Sequence, residues 1–394
     1  MATGLKAREL LPLIGIMFSA FVFNTSEFMP VALLVDIAGD FGVSEAQAGM
    51  LISVYAWMVM LLSVPLTVVT SRIDFKRLLL LVIAVFGVCQ IVSALSVSYW
   101  MLMAARVGVA CAHSVFWAIV APIAVRVAAP EHRSIALSMI VTGSAIALIA
   151  GLPLGRVVGL LVGWRMTFVC VGVVSLVVFV YLLVSLPRIK AEEAFTFSEL
   201  PELLRNRTLV SLYILTALIA TAYYTGYSYI EPFLQQVVGM DDAWVTVALS
   251  VFGVAGIVGS VLFSRLYDKH RFLFVRGTII GAAVSLLLLR LTPVGPAAAF
   301  AVCGLLGMFA TAFNVTLQSE VMRSSTEQQQ AVAVSIFSGI FNLGIGSGAL
   351  IGGVVVENLS VSNIGVAGGL IGLAASAYCL FVLTKRLRGN ASVR

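Results

Sequence analysis

Twelve stretches of this chain, each about as long as a membrane helix, are almost free of charge, and most of the charged residues sit in the breaks between them. A bilayer core takes about 20 apolar residues per helix. The stretches fall at 10–35, 46–70, 77–97, 99–126, 134–160, 165–187, 208–237, 243–267, 272–292, 296–322, 329–356 and 361–385. Only 11% of the 394 residues are charged, against about 25% in a soluble domain. Such a chain has too little charge to cover a watery surface. The expected fold class is an all-α membrane protein with twelve transmembrane helices, embedded in a lipid bilayer.

The connections are short except one. Residues 188–207 hold Arg188, Lys190, Glu192, Glu193, Glu199, Glu202 and Arg205. They divide the chain into six-helix bundles at 1–187 and 208–394, with a linker in which an amphipathic helix on the membrane surface is expected. If both termini are cytoplasmic, every Lys and Arg falls on that side except Arg106, Arg156, Arg165 and Arg290. The opposite side collects Asp36, Asp40, Glu45, Asp241, Asp242 and Glu357. The positive-inside rule then predicts an N-in, C-in topology. The net charge of +6 comes from scattered basic residues, which serve orientation and exclude a nucleic-acid partner. Cys89, Cys111, Cys170, Cys303 and Cys379 lie singly in apolar runs and read as small buried hydrophobes. No cleavable leader is expected, because the apolar run after Lys6 and Arg8 is too long.

The two halves echo one another. The first span carries Glu27 and Pro30 before an acidic loop, and the seventh carries Glu231 and Pro232 before another. The loops after spans two and eight, SRIDFKR and SRLYDKHR, are basic with one Asp each. Two parallel repeats of six spans around a midplane site are a transporter architecture.

Several motifs then resemble one family. Glu27 to Phe41 reads E-F-x-P-x-x-L-L-x-D-I-A-x-D-F, R-V-G-V-A-C-A-H runs from Arg106 to His113, and G-L-P-L-G-R from Gly151 to Arg156. These are similar to the first-span, fourth-span and fifth-span motifs of the drug:proton antiporter branch of the major facilitator superfamily. Tyr227 to Phe233 and Phe337 to Leu350 resemble bacterial sugar efflux transporters within that branch. The resemblance implies proton-coupled export of a small solute across a bacterial inner membrane, with multidrug efflux as the alternative. The family's G-x-x-x-D-R-x-G-R-R loop survives only as S-R-I-D-F-K-R, which leaves the cytoplasmic latch unassigned.

Glu27 is the first candidate for proton coupling. An ionised side chain at membrane depth costs about 2.5 to 3.5 kcal/mol on insertion scales, so it needs a partner, water or a proton. At about 1.5 Å per residue, Glu27 and Arg106 lie roughly 7 and 9 Å from their span centres toward the same side. Either a protonation-linked ion pair or a permanent bridge between helices fits that level. Arg106, Ala110, His113 and Trp117 share a helix face. His113 reads as a titrating or substrate-binding group lining the cavity, or as a helix bridge, and Trp117 as a ring for the solute or a packing residue.

Tyr224, Tyr227 and Glu231 follow i, i+3, i+7, either as a binding face with Glu231 as a further candidate for proton coupling, or as an interfacial belt with Glu231 reaching water. Asn24, Tyr55, Asn314, Gln318, Ser338 and Asn342 complete the candidate lining, each also readable as a bond between helices. Glycines of the fifth span and of the eleventh are expected to form two tight faces that meet across the halves. No P-loop, HExxH or paired Cys/His spacing occurs, so a cofactor-free, non-enzymatic carrier acting as a monomer is expected.

Overall fold

The computed structural model describes residues 7–189, 203, 205–326 and 329–391, so most of the expected linker lies outside the described residues. The helices are α1 (Ala7–Ala32), α2 (Leu34–Phe41), α3 (Glu45–Thr70), α4 (Phe75–Ala94), α5 (Tyr99–Val127), α6 (Arg133–Ile146), α7 (Leu152–Val162) and α8 (Trp164–Ser185). They continue with α9 (Arg207–Tyr227), α10 (Ile230–Gln236), α11 (Asp242–Leu266), α12 (Arg271–Leu288), α13 (Pro296–Ser324), α14 (Gln330–Asn358), α15 (Ile364–Tyr378) and α16 (Thr384–Ala391). Twelve helical stretches among the described residues are long and apolar enough to span a bilayer. Closed helical hydrogen bonding is what lets such segments enter lipid.

By packing, the chain gathers into two compact units, Met1–Ala32 with Met58–Phe195 and Leu33–Trp57 with Thr196–Arg394. In the first unit α1 packs on α6 and α8, and α4 on α5 and α8. In the second, α9 packs on α14 and α15, and α12 on α13 and α15. Counted as spans, the pairs 1–5, 1–6, 3–4 and 3–6 recur as 7–11, 7–12, 9–10 and 9–12. The echo seen between the two loop motifs is therefore an echo of packing.

Within each unit, the leading helix and its partner run parallel and in register. A Cβ on Gly143 would lie 2.2 Å from the Met17 carbonyl oxygen, and one on Gly151 would lie 2.4 Å from Thr25 Oγ1. In the second unit Gly348 and Gly352 approach the carbonyls of Thr221 and Thr225 in the same way. There Tyr213 and Tyr229 donate to the carbonyls of Ala333 and Ala349 at 3.0 and 3.1 Å. Both bonds span the same 120 positions, as parallel helices require. Small residues admit the nearest backbone, and each face is already occupied by a helix of its own unit. A π turn, Ala147–Gly151, interrupts the fifth span between α6 and α7.

Two spans break where their prolines fall. Pro30 has no N–H, so the Ser26 carbonyl loses its helical donor, and α1 ends two residues later at Ala32. The seventh span stops at Tyr227 and restarts at Ile230. Pro232 then sits in the first turn of α10, where a missing donor costs nothing. The first span was expected to run unbroken to residue 35, and the break is a finding of the structure.

At the basic end of the second unit, Glu320 of α13 is fully buried. It accepts from Arg271 Nε at 2.6 Å and Nη2 at 2.5 Å, and from the Tyr267 hydroxyl at 2.7 Å. Burial and the Glu320 carboxylate push the Tyr267 phenol up from its ordinary range, so it remains a donor. Arg323 pairs with Asp268 beside them. At the corresponding place in the first unit, Lys76 donates to the carbonyls of Leu183 and Leu186 at 2.9 and 2.5 Å. Glu320→Ala would leave Arg271 beside a vacated buried site. It should cost about 3 to 5 kcal/mol, read as a lowered midpoint of thermal unfolding in detergent, with Glu320→Gln costing less.

Candidate functional site

The polar cluster of the first unit is assembled by three helices. Ser26 and Glu27 stand at adjacent positions on α1, Gln90 on α4, and Arg106 and His113 on α5. Ser26, Gln90, Arg106 and His113 are each no more than 2% exposed. Arg106 Nη1 donates to Ser26 Oγ at 3.1 Å, and Gln90 Nε2 donates to the same oxygen. The Gln90 Oε1 atom is buried with no hydrogen-bond partner. His113 Nε2 lies 3.7 Å from Glu27 Oε2. That spacing is an ion-pair distance when the imidazole is protonated and is long for a hydrogen bond. Arg106 acts electrostatically on both Glu27 and His113. One carboxylate, one guanidinium and one imidazole therefore share a buried site.

Aromatic rings wall that cluster. Phe23 stacks on Phe86 at 4.0 Å and on Phe116 at 4.1 Å, and the His113 ring lies 6.0 Å from both Phe23 and Trp117. Trp117 is half-buried. Asn24 turns away from the carboxylate and bonds Ser144 Oγ of α6 at 2.9 Å, the role of a bond between helices.

The second unit holds a denser aromatic group. Tyr227 stacks on Phe252 at 4.7 Å and on Tyr223 at 5.5 Å. Tyr223 also meets Tyr224 and Phe313, and Tyr224 meets Phe341. Asn314 and Gln318 are half-buried on α13, Ser338 is exposed on α14, and Asn342 is buried with its Oδ1 unpartnered. Tyr55 is 2% exposed on α3. The i, i+3, i+7 face expected for Tyr224, Tyr227 and Glu231 does not form, because the helix breaks between Tyr227 and Ile230. Glu231 does not reach water either. It is 0% exposed, and its Oε2 accepts from the Leu34 amide at 2.7 Å and from the Val35 amide at 3.4 Å.

Residues 16–332 match the sequence profile of the Major Facilitator Superfamily. The chain belongs to that superfamily. As a major facilitator protein it is a multi-pass secondary transporter, which points away from an enzyme. Its fold is similar to that of a bacterial homologue of the human lysosomal transporter Spinster, solved inward-facing and unoccupied. The TM-score is 0.75 at 17% identity, covering 97% of this chain and 94% of that one. It is similar also to a mutant form of the peptide transporter POT, with TM-score 0.78 at 12% identity and coverage of 96% and 94%.

Within this major facilitator fold, the sequence brought forward Glu27, Arg106 and His113, and the structure gathers them. It passed over Ser26 and Gln90. A lone amide in an apolar run and a serine next to the acid were the available signals. Arg156 entered as part of a motif and as one of four basic residues away from the cytoplasmic side, with no partner named; it is fully buried and donates to the Ala32 carbonyl at 2.7 Å, the end of α1. A cation there complements the negative end of the helix dipole. Glu320 was missed because it falls two residues from the predicted end of its span.

Proposed function

We propose that the chain is a proton-coupled transporter that exports a neutral sugar, such as a pentose or thiogalactoside, or a related small solute across a bacterial inner membrane. The contact between Glu27 and His113, in a buried site that also feels Arg106, carries this reading. With Glu27 ionised and His113 neutral, the three groups sum to zero. A proton on either acceptor leaves the site with a net positive charge, and in a low dielectric such a change is large. Protonation then biases the conformational equilibrium, to the extent that the two states bind the proton with different affinity. Glu27 is the proton carrier, Arg106 sets its charge environment, and His113 is the second acceptor. The basic residues favour cytoplasmic termini, and the protein works as a monomer.

The solute reading draws on the half-buried amides of Asn314 and Gln318 and the buried hydroxyls of Tyr224 and Tyr227, and on the scarcity of other charge near them. The aromatic cluster around Tyr223 and Phe252 favours a second reading, efflux of amphiphilic drugs. A binding screen on purified protein decides between them, using pentoses, thiogalactosides, amphiphilic cations and nucleosides. A neutral sugar should bind saturably, and Trp117→Ala and Tyr227→Ala should each weaken it by about tenfold, roughly the worth of one aromatic contact. Binding of cations alone transfers the assignment to drug efflux. Unaltered affinity in both variants removes these rings from the site.

A further inference from the structure

The acid on the seventh span has a different occupation from the one on the first. Helix α2 begins at Leu34, and Leu33 before it supplies no side-chain cap. The first amides of any helix have no partner within it. Here the amides of Leu34 and Val35 are taken by Glu231, far away in sequence and fully buried. An anion is favoured at that end by the helix dipole, and a charged acceptor holds an amide more strongly than a neutral one. The same short helix α10 makes a second tie, from Gln236 Nε2 to Glu45 at the start of α3.

We propose that Glu231 is a proton-released latch on α2: its carboxylate holds the first turn of that helix, and protonation lets the turn go. Other titratable groups stand near it. Helix α10 packs against α2, α11 and the 3-10 turn Val361–Asn363. Asp36 and Asp40 are the titratable residues of α2. Asp242 opens α11 and accepts from Gln235 at 2.9 Å, and Asp241 caps the same helix. The Val361–Asn363 turn has no titratable residue. Tyr229, just before α10, has its hydroxyl committed to Ala349. The acids of α2 share a helix with the amides that Glu231 holds, so a test of the latch must tell them apart from it. The bond to α2 is strongest when Glu231 is ionised and weakens when the carboxyl takes up a proton, because a neutral acceptor holds the amides less firmly. It links a proton to segment 34–57, which α2 and α3 share. It requires no particular solute, and its readout is not flux, so it can fail while proton-coupled export stands, or the reverse.

Amide hydrogen exchange read by mass spectrometry on peptides covering residues 33–42 tests the latch. The measurements are made on the full chain in detergent at pH 8 and pH 5, with rates corrected for intrinsic exchange. In the parent protein, protection of Leu34 and Val35 should fall by about tenfold at pH 5, the difference expected between a charged and a neutral acceptor. Glu231→Gln should exchange at the acid rate at both pH values, while Asp36→Asn and Asp40→Asn should keep the parent's pH dependence. If the parent shows no pH dependence, or if Glu231→Gln retains it, the latch is wrong. Loss of the dependence in Asp36→Asn assigns the effect to another acid and also overturns it. Should Glu231→Gln fail to fold, Glu231→Asp serves: weaker protection that still varies with pH supports the latch, and protection equal to the parent's refutes it.

Discussion

Glu27→Gln is expected to abolish proton-driven accumulation in proteoliposomes while leaving solute counterflow without a gradient in place. One pH unit is worth about 1.36 kcal/mol, so a carrier exchanging one proton per solute sustains about a tenfold solute gradient for each unit. In the variant that gradient should collapse to none. Glutamine has nearly the shape of glutamate and keeps its amide near His113 Nε2, which lies 3.7 Å from the carboxylate in the parent. It cannot take up or release the proton. Ser26 and Gln90 still surround Arg106, so the buried guanidinium keeps its hydrogen bond to Ser26. The melting temperature in detergent separates lost coupling from lost fold. Accumulation at the parent's level would take Glu27 out of the mechanism.

A large stability effect is also expected where α11 and α13 cross. A Cβ on Gly307 would sit 2.0 Å from the Phe252 carbonyl oxygen, and one on Gly259 would sit 2.1 Å from that of Met308. Each helix thus presents a glycine to the backbone of the other, and no side chain can yield. Gly307→Leu or Gly259→Leu must push the helices apart along their whole contact. Overpacking of this kind should cost about 3 kcal/mol or more. The readout is loss of the monodisperse fraction on size exclusion and a fall in the unfolding midpoint. Because both glycines serve one crossing, the double variant should cost less than the sum of the singles. Gly277→Ala, whose Cβ meets nothing within 4 Å, is the matched control and should change little.

The span pattern was the most legible part of the sequence, because a bilayer forces about 20 apolar residues into each helix and leaves charge only in the breaks. The fold followed from that count and from the repeated loop motifs. Glu27, Arg106 and His113 were legible too, since a charge within an apolar run needs an explanation. What stayed hidden was decided by neighbours. Glu231 read as the continuation of a tyrosine face because a helical period was carried through Ser228 and Tyr229, where the backbone breaks. The donors to its carboxylate are main-chain amides, which no residue type announces. The fifth-span and eleventh-span glycines were correctly read as sites of close approach. The neighbours they admit within their own unit, α1 and α9, were not legible, because a small residue records that something comes near and not which helix it is.

The π turn at Ala147–Gly151 explains how one helix keeps two glycines against α1. Eight residues of unbroken α-helix turn through about 800°, which leaves Gly143 and Gly151 roughly 80° out of phase. A widened turn rotates less per residue and absorbs most of that excess. Both glycines then point at the same neighbour, opposite Met17 and Thr25, and Arg156 follows onto the Ala32 carbonyl. The irregular turn acts as a gear tooth: it sets the angular phase of everything downstream in the span, so the hold on the end of α1 depends on one extra residue a full turn earlier.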